Sequence, residues 1–296
     1  MKSRLYDEVV GRLPSGQPFP FAVHRLRDSH VSPTIRASGR WEPFATRILW
    51  SLLEPGDGVI DIGGNIGWYA TVLGRAVGPN GWVHSFEPDP LNGALLQHNI
   101  ELQGLAHVEV HCSAVGAKAG TMQLSLSNEN RGDHRLISRR PEAPPHGQRR
   151  RASIEVSVET LDDFVERSAI DLRSLRVIKI DTQGAEAMIL RGAAKTLERL
   201  PKRTALLVEF APNLLAAHGP GEVESFIETL TGLRRTVYTL RRASMVPTGE
   251  DRLRRLAVKL APHGDEWAVD LLVCPDVAVD RRRLMRYRVP RPMQWV

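Results

Sequence analysis

The sequence predicts an α/β fold in which an open, mostly parallel sheet carries a nucleotide pocket at one edge. Three observations carry this prediction. A buried apolar strand, residues 59–62, runs into a glycine cluster inside which a helical pattern, residues 66–77, begins. The next apolar run ends in the acid Glu87. A later buried strand, residues 175–180, repeats the order of strand, acid and helix, and the tips of parallel strands surround the ligand crevice of such a sheet.

The ligand class is indicated by Asp61, in the pattern Asp61-x-Gly63-x-x-x-Gly67. Dinucleotide sites usually present only glycines here, because a carboxylate would repel a pyrophosphate. A carboxylate suits S-adenosylmethionine, which carries an ammonium and a sulfonium but no phosphate. The glycines let the backbone approach the ligand, and the helix start offers unpaired N–H groups. We therefore predict that Asp61, Gly63, Asn65 and Gly67 bind this methyl donor, with a dinucleotide site as the alternative.

The second and third strand ends complete the predicted donor site. An acid at the tip of the second strand is the usual acceptor for both ribose hydroxyls, so Glu87, with Pro88 beside it, is assigned to the ribose. The third strand is predicted over residues 108–115, and Ser113 at its end is a candidate neighbour of the adenine; an ordinary strand-end residue is the alternative. Asp181, at the tip of strand 175–180, is expected to face the transferred methyl group and to contribute to the donor site. It could be the base, a metal ligand, or only a partner of the donor's ammonium.

The remaining elements follow from hydrophobic periodicity and from turn residues. Helices are predicted over residues 42–53, 90–103, from 161 onwards, after Asp181 to about 197, and over 222–230. Further strands are predicted over residues 204–210, 236–240 and 267–273. Two alternating segments, residues 121–126 and 154–158, are predicted to pair as a hairpin.

Three regions are predicted along the chain. Residues 1–40, rich in Pro, Gly and Arg, form a cap or a small strand pair over the pocket mouth. Residues 41–275 form the main domain, with an inserted loop at about 128–153 whose Pro/Arg-rich stretch is predicted to be mobile. Residues 276–296 form a basic C-terminal arm.

The composition predicts a globular protein outside the membrane. The chain has 296 residues, 42% hydrophobic and 25% charged, which is enough to bury a core. It contains no run of eighteen apolar residues, and its first residues lack the apolar segment of a secretory signal. Both cysteines, Cys112 and Cys274, lie in strand-like runs, so we expect them buried and reduced and the protein cytoplasmic.

The formal net charge is +6, and the pI is about 9.7. Much of the positive charge is concentrated in arginine runs at residues 149–151, 234–235, 252–255 and 281–288. Such runs are usually solvated, although they are also compatible with an anionic acceptor such as a phosphorylated sugar or a lipid-linked glycan. No nucleic-acid-binding motif accompanies them, which argues against a nucleic-acid partner.

Taken together, three motifs resemble the FkbM-type family of S-adenosylmethionine-dependent methyltransferases: Asp61 to Gly67, Glu87-Pro88, and residues 179–186. The most specific is the Lys-Ile-Asp-x-x-Gly-x-Glu block, here with Thr182-Gln183 where many members have Val-Glu. The resemblance implies a Rossmann-like methyltransferase sheet of seven strands in the order 3-2-1-4-5-7-6, with the last strand antiparallel and helices on both faces. It also implies methylation of a hydroxyl, often on a sugar or a polyketide-like natural product.

Methylating a hydroxyl calls for a general base or a metal. The candidate bases are His134, in an irregular loop that could cover the acceptor, together with Asp133, Asp181 and Glu209. The acids Asp181, Glu209 and Asp133 would suit Mg²⁺, but no spacing rule supports a metal site. The other histidines considered show no shared spacing and are predicted to be structural or on the surface: His84, His98, His107, His111, His218 and His263.

Three functions therefore stay open at the level of sequence. The first is an O-methyltransferase acting on a small molecule or a glycan, which the tip sequence Glu209-Phe210-Ala211-Pro212 favours over amino methylation. The second is an RNA or protein methyltransferase that uses the arginine-rich surface. The third is a non-catalytic donor-binding module. The sequence leaves the oligomeric state open, a homodimer included.

Overall fold

The computed structural model describes residues 5–138, 151–168, 170–241, 243–263 and 267–275. Its strands are β1 (Tyr6–Arg12), β2 (Pro18–His24), β3 (Gly58–Ile62), β4 (Trp82–Phe86), β5 (Val108–His111), β6 (Ala114–Val115), β7 (Gly120–Leu126), β8 (Arg135–Ile137), β9 (Ala152–Glu159), β10 (Leu175–Ile180), β11 (Ala205–Phe210), β12 (Thr236–Arg241), β13 (Ser244–Pro247) and β14 (Val269–Cys274). Its helices are α1 (Val31–Ser38), α2 (Pro43–Leu52), α3 (Trp68–Val77), α4 (Pro90–Leu102), α5 (Leu161–Ser168), α6 (Glu186–Arg191), α7 (Ala194–Glu198), α8 (Pro212–Ala216), α9 (Glu222–Gly232) and α10 (Glu250–Leu260).

The central sheet has the order β13-β12-β14-β11-β10-β3-β4-β5. Strand β3 pairs in parallel with β4 and β10, whereas β14 runs antiparallel to both β11 and β12. The expected order 3-2-1-4-5-7-6 is confirmed by the seven strands from β5 to β12. The eighth strand, β13, was not predicted; it pairs antiparallel with β12 at the edge of the sheet.

Helices cover both faces of this sheet, as expected. Alternate residues of each central strand enter opposite cores: Val59 packs with α2, α3 and α4, whereas Ile60 packs with α5, α6 and α9. Because successive side chains point to opposite faces and both faces are buried, these strands are apolar at nearly every position. Among the described residues, no helix is long and apolar enough to cross a membrane.

The inserted segment forms a second, four-stranded sheet of order β6-β9-β7-β8. The predicted hairpin is confirmed, because β7 pairs antiparallel with β9 over its whole length. The prediction of one strand over residues 108–115 was wrong. The chain leaves the large sheet after His111 and joins β9 at Ala114, so that Cys112 in the break is exposed rather than buried. Most of the stretch predicted to be mobile, residues 139–150, lies outside the described residues, as does the predicted arm at 276–296.

Besides β13, four elements were not predicted from the sequence: β8, α1, α8 and α10. The arginine run at residues 252–255 lies in α10, an amphipathic helix that buries Leu253, and it is not a loop. The helix predicted up to residue 197 is divided into α6 and α7 at Gly192. There the chain passes so close to Gly116 that a Cβ on Gly192 would lie 2.0 Å from the Gly116 carbonyl oxygen.

The N-terminal hairpin β1-β2 is fastened to α4 by Asn99. The Asn99 side chain accepts a hydrogen bond from the Ala22 backbone N–H (2.6 Å) and donates to the carbonyl oxygens of Ala22 (2.9 Å) and Ile66 (2.8 Å). One amide thus links the hairpin to the start of α3. The division of the chain into a cap, a main domain and an arm stays a prediction.

We expect Asn99→Ala to lower the free energy of unfolding by about 1–3 kcal/mol, because it leaves buried backbone groups without partners. Denaturant unfolding measures the effect. Gln97→Ala on the exposed side of the same helix is the matched control, since Gln97 bonds only to Glu101 one turn away. An equal loss in both variants would contradict the assigned role of Asn99.

Candidate active site

A cavity of about 1140 Å³, counted with its open mouth, lies beyond the carboxyl ends of β3, β4, β10 and β11. Eight of the ten predicted site residues line it: Gly63, Asn65, Glu87, Pro88, Ser113, His134, Asp181 and Glu209. The other two, Asp61 and Gly67, lie behind its wall. The structure therefore brings the predicted donor residues and the predicted catalytic residues into one pocket.

The glycine turn after β3 has a shape that side chains would prevent. Gly63 has a φ of 86°, and a Cβ there would lie 1.8 Å from the Asp181 carbonyl oxygen. Gly67, with a φ of 87°, precedes the first residue of α3. Asn65 between them also has a positive φ, 49°. The turn thus brings the backbone of the pocket floor into close contact with the end of β10 at Asp181.

Glu87 fastens this turn while facing the pocket. Its carboxylate accepts hydrogen bonds from the backbone N–H groups of Asn65 (2.8 Å) and Asp89 (2.9 Å). Burial raises the pKa of the Glu87 carboxyl to about 7, although these two hydrogen bonds oppose the shift. Ser113, on the opposite wall, donates a 2.7 Å hydrogen bond to Glu159. The ribose and adenine roles assigned to Glu87 and Ser113 stay predictions.

Asp61 lies beneath the turn with no exposed surface. It accepts a 2.9 Å hydrogen bond from the Ser85 hydroxyl, and its other oxygen lies 3.7 Å from the Lys179 ammonium. Burial raises the pKa of the Asp61 carboxyl, and Lys179 opposes that shift. Direct contact between Asp61 and the donor therefore stays a prediction, whereas its contact with Lys179 is part of the structure.

Lys179 is the functional residue that sequence reasoning missed. Its ammonium lies 3.2 Å from Asp181 Oδ2 and 3.7 Å from Asp61 Oδ1, and it sits 4.9 Å from the centre of the Tyr69 ring. Burial alone would lower the pKa of Lys179, but Asp181, Asp61 and Glu42 outweigh it and raise that pKa above its usual value. The signal was available: a lysine inside an otherwise apolar buried strand requires a charged partner.

Carboxyl groups crowd this end of the pocket. Burial, reinforced by Asp270 and Asp181, raises the pKa of Glu42 to about 8, and the Tyr69 hydroxyl donates a 2.7 Å hydrogen bond to Glu42. Burial and the charge of Asp181 likewise raise the pKa of Asp270 to about 6 and that of Glu209 well above its usual value. Asp181 is the member of this group with the closest cationic partner, the Lys179 ammonium.

The carboxylate of Glu186 holds the turn after Asp181 in place. Glu186, fully buried, accepts hydrogen bonds from the Thr182 N–H (2.8 Å), the Thr182 hydroxyl (2.9 Å) and the Gly184 N–H (3.0 Å). This leaves Gln183 at a φ of 57°. From there the Gln183 amide donates to Glu209 (3.0 Å) and reaches Asp181 (3.4 Å). The last acid of the sequence block therefore positions the two predicted catalytic carboxyl groups.

His134 lies in the pocket wall, but both of its ring nitrogens face protein groups. Nδ1 accepts a 3.0 Å hydrogen bond from the Ser127 N–H, so Nε2 carries the proton and points at Asp89 Oδ2, 3.6 Å away. Asp133 instead forms ion pairs with Arg135 and Arg151 and does not line the pocket. A base role for His134 stays a prediction, and this orientation favours a role in shaping the loop.

The acids proposed as Mg²⁺ ligands are not assembled as a set. Among the described residues, one group of three His, Cys, Asp or Glu side chains brings its ligand atoms within 4.8 Å of one another, and it contains none of Asp133, Asp181 and Glu209. The pocket therefore gives no support to the Mg²⁺ alternative.

The sheet order and the pocket at its strand tips define the class of Rossmann-like methyltransferases. The model of the methyltransferase FkbM domain matches residues 61–234. The chain belongs to this family.

One curated relative is "Methyltransferase 1" of Beauveria bassiana (strain ARSEF 2860), 25% identical over 144 residues. That match covers 45% of this chain and 57% of the relative, which is less than two thirds of its length.

Solved structures with a similar fold include an O-methyltransferase from Bacillus cereus in complex with SAH (12% identity, TM-score 0.44, 79% of this chain and 82% of that one). Another is an rRNA methylase from Streptococcus thermophilus (11% identity, TM-score 0.39, 77% of this chain and 93% of that one). At these identities the likeness concerns the fold alone.

We expect Glu42→Gln to change how stability depends on pH. The Glu42 pKa rises from 4.5 to about 8 on folding, so the folded state holds the proton more tightly, and its stability falls as pH rises through this window. At pH 4, below both pKa values, the variant and the wild type should unfold alike. At pH 9 the variant should be more stable, by on the order of 1 kcal/mol or more.

Urea unfolding at both pH values measures this difference. Glutamine keeps an oxygen that can accept the Tyr69 hydrogen bond, so the comparison isolates the charge. A variant that is less stable than the wild type at pH 9 would show that burial does not raise the pKa of Glu42.

Proposed function

We propose that this protein is an S-adenosylmethionine-dependent O-methyltransferase that acts on a hydroxyl of a neutral small molecule, a sugar or a natural product. The observation that carries the proposal is the meeting, in one pocket, of the glycine turn fastened by Glu87 and the Asp181–Lys179 ion pair. The first feature suits an adenosine ligand, and the second suits the activation of a hydroxyl.

The charge of the pocket supports this donor over a dinucleotide. Its described lining carries the carboxyl groups of Glu42, Glu87, Asp181 and Glu209. The ammonium of Lys179 is paired with Asp181, and Arg131, the other strongly basic side chain of the lining, lies 3.3 Å from Asp89. Neither of these two cations is unpaired and ready to bind a pyrophosphate, whereas a cationic, phosphate-free adenosine compound would favour the ionised form of the nearby carboxyl groups.

When bound, S-adenosylmethionine supplies an electrophilic methyl group, and the protein has to orient the acceptor and remove its proton. We propose that Asp181 accepts this proton, because its carboxylate is held 3.2 Å from the Lys179 ammonium and its side chain is partly exposed to the pocket. Burial raises the pKa of Glu209 well above its usual value, and we assign Glu209 to donate a hydrogen bond to the acceptor. The Gln183 amide contacts both carboxyl groups and fixes their positions relative to each other.

The same carboxyl groups argue for a neutral acceptor rather than the anionic one that the arginine runs suggested. Several of the described arginines are already engaged: Arg235 donates to the carbonyl oxygens of Thr204 and Pro201, and Arg254 pairs with Glu224 and Glu250. These contacts also weaken the case for an RNA substrate. The acidic pocket end, which donor binding alone does not need, weighs against a non-catalytic module.

The test compares Asp181→Asn with Glu87→Ala. Calorimetry with S-adenosylhomocysteine measures donor-site affinity, and transfer of a labelled methyl group to a panel of sugars and polyketide-like alcohols measures turnover. We expect Asp181→Asn to lower turnover by about 10²- to 10⁴-fold with little change in affinity, since it removes the proton acceptor. Glu87→Ala should weaken affinity, because it frees the turn and removes the ribose carboxylate.

Asp171→Asn, on the surface and away from the pocket, is the matched control for Asp181→Asn. Tight binding of NADH without binding of S-adenosylhomocysteine would refute the donor assignment. Methylation of RNA rather than of hydroxylated small molecules would refute the acceptor class.

The role of His134 can be tested by two isosteric changes. Asparagine places a polar atom near Nδ1, where it can accept the Ser127 N–H, whereas glutamine places one near Nε2. If His134 shapes the loop through Ser127, we expect His134→Asn to keep most of the turnover and His134→Gln to lose it. If His134 is the base, turnover should fall similarly in both variants, and the comparison of their rates decides between the two roles.

A further inference from the structure

Two histidines and a glutamate that the sequence analysis treated as unrelated lie together at the edge of the central sheet. His84 on β4 is the register partner of Glu109 on the edge strand β5, and Phe86 is the partner of His111. The three polar side chains therefore project from the same face of the sheet. His84 Nδ1 lies 3.1 Å from His111 Nε2 and 3.5 Å from Glu109 Oε2, and all three ligand atoms lie within 4.8 Å of one another.

These distances match the ligand triangle of a tetrahedral zinc ion. Zinc lies about 2.0–2.1 Å from histidine nitrogen and carboxylate oxygen, and tetrahedral angles then separate any two ligand atoms by about 3.3 Å. The two edges of the triangle that meet at His84 Nδ1, 3.1 and 3.5 Å long, bracket that value. No side chain would have to change its rotamer to bring these two edges to the required length.

The hydrogen-bonding capacity of the group also favours a cation. A neutral imidazole ring carries one lone pair and one N–H group. A single proton on His84 Nδ1 could serve either His111 or Glu109, but not both at full strength. A metal ion would satisfy all three atoms at once. The other charges that act on His111, those of Glu159 and Arg167, form an ion pair with each other.

Aromatic packing holds the two rings in position. His111 stacks on Phe86 with ring centroids 4.6 Å apart, and both histidines meet the edge of Phe164. Trp82 packs against the other side of His84, at 5.3 Å. Rings fixed in this way lose little conformational entropy when a ligand binds, which favours affinity.

We propose that His84, Glu109 and His111 bind a Zn²⁺ ion, with water at the fourth position beside the exposed Glu109. Two imidazoles and one carboxylate form a ligand set that zinc accepts and that Mg²⁺ or Ca²⁺ would not select. None of the three residues lines the donor pocket, so the site is separate from the proposed catalytic centre. The ion would clamp the edge strand β5 to β4, next to Phe86, which does line that pocket.

The experiment uses untagged full-length protein that has been stripped with EDTA and then titrated with zinc chloride against a chromophoric chelator. We expect one equivalent to bind tightly and to raise the melting temperature. Cobalt chloride should produce the visible absorption bands of tetrahedral Co²⁺ at the same stoichiometry. Glu109→Gln should weaken zinc binding by at least about tenfold, since even outer-shell changes cost about 10- to 100-fold, and His111→Gln should abolish the tight equivalent.

His263→Gln is the matched control, because it removes an exposed histidine far from the group and should leave zinc affinity unchanged. Glu109 has a 68% exposed side chain, so Glu109→Gln tests the ligand set without disturbing the core, even if His84→Gln fails to fold. The absence of a tight equivalent in the wild type would overturn the proposal. So would equal zinc affinity in the wild type, Glu109→Gln and His111→Gln.

Discussion

The ammonium of Lys179, buried between two carboxylates, is the interaction on which the site depends. It links β3 to β10, because Lys179 in β10 reaches Asp61 in β3, under the glycine turn, and Asp181 beside the pocket. A buried lysine without these partners would be strongly destabilising, and so would either carboxylate without the lysine. The glycine turn and the proposed base are therefore both tied to the same ammonium.

The balance of charge around Lys179 explains which ligands the pocket can accept. One ammonium faces the carboxyl groups of Asp61, Asp181, Glu42 and Asp270, and burial raises the pKa of three of them. In such a site the ammonium is already paired and does not offer a phosphate a free cation, whereas a bound cation would favour the ionised form of these carboxyl groups, which fits the proposed sulfonium donor and neutral acceptor. The arginine-rich composition of the chain gave the opposite impression, because net charge describes the whole surface and not the lining of one pocket.

The glycine turn could be predicted from a local sequence pattern, and the order of the sheet from the family resemblance. Contacts that depend on register between strands could not be predicted. His84 and His111 are 27 residues apart and come together only because β5 lies beside β4. The break after His111 was hidden for a similar reason: the apolar pattern continues although the chain changes sheets. His134 lines the pocket, but the orientation of its ring depends on a hydrogen bond from the Ser127 N–H, which no sequence pattern encodes.

Gln183 lies between the two proposed catalytic carboxyl groups. At this position the chain differs from many members of the family, and the difference fits the proposed acceptor. Where many members of the family carry Val-Glu, this chain has Thr182-Gln183. A glutamate at 183 would add a further carboxyl group beside Asp181 and Glu209, and burial would force at least one of the three to keep a proton. The glutamine amide instead donates towards both acids, and the Thr182 hydroxyl adds a hydrogen bond to Glu186 that valine cannot make. Asp181 is paired with Lys179, burial raises the pKa of Glu209, and the Gln183 amide contacts both carboxyl groups, which fits the proposed roles of deprotonating one hydroxyl and orienting it.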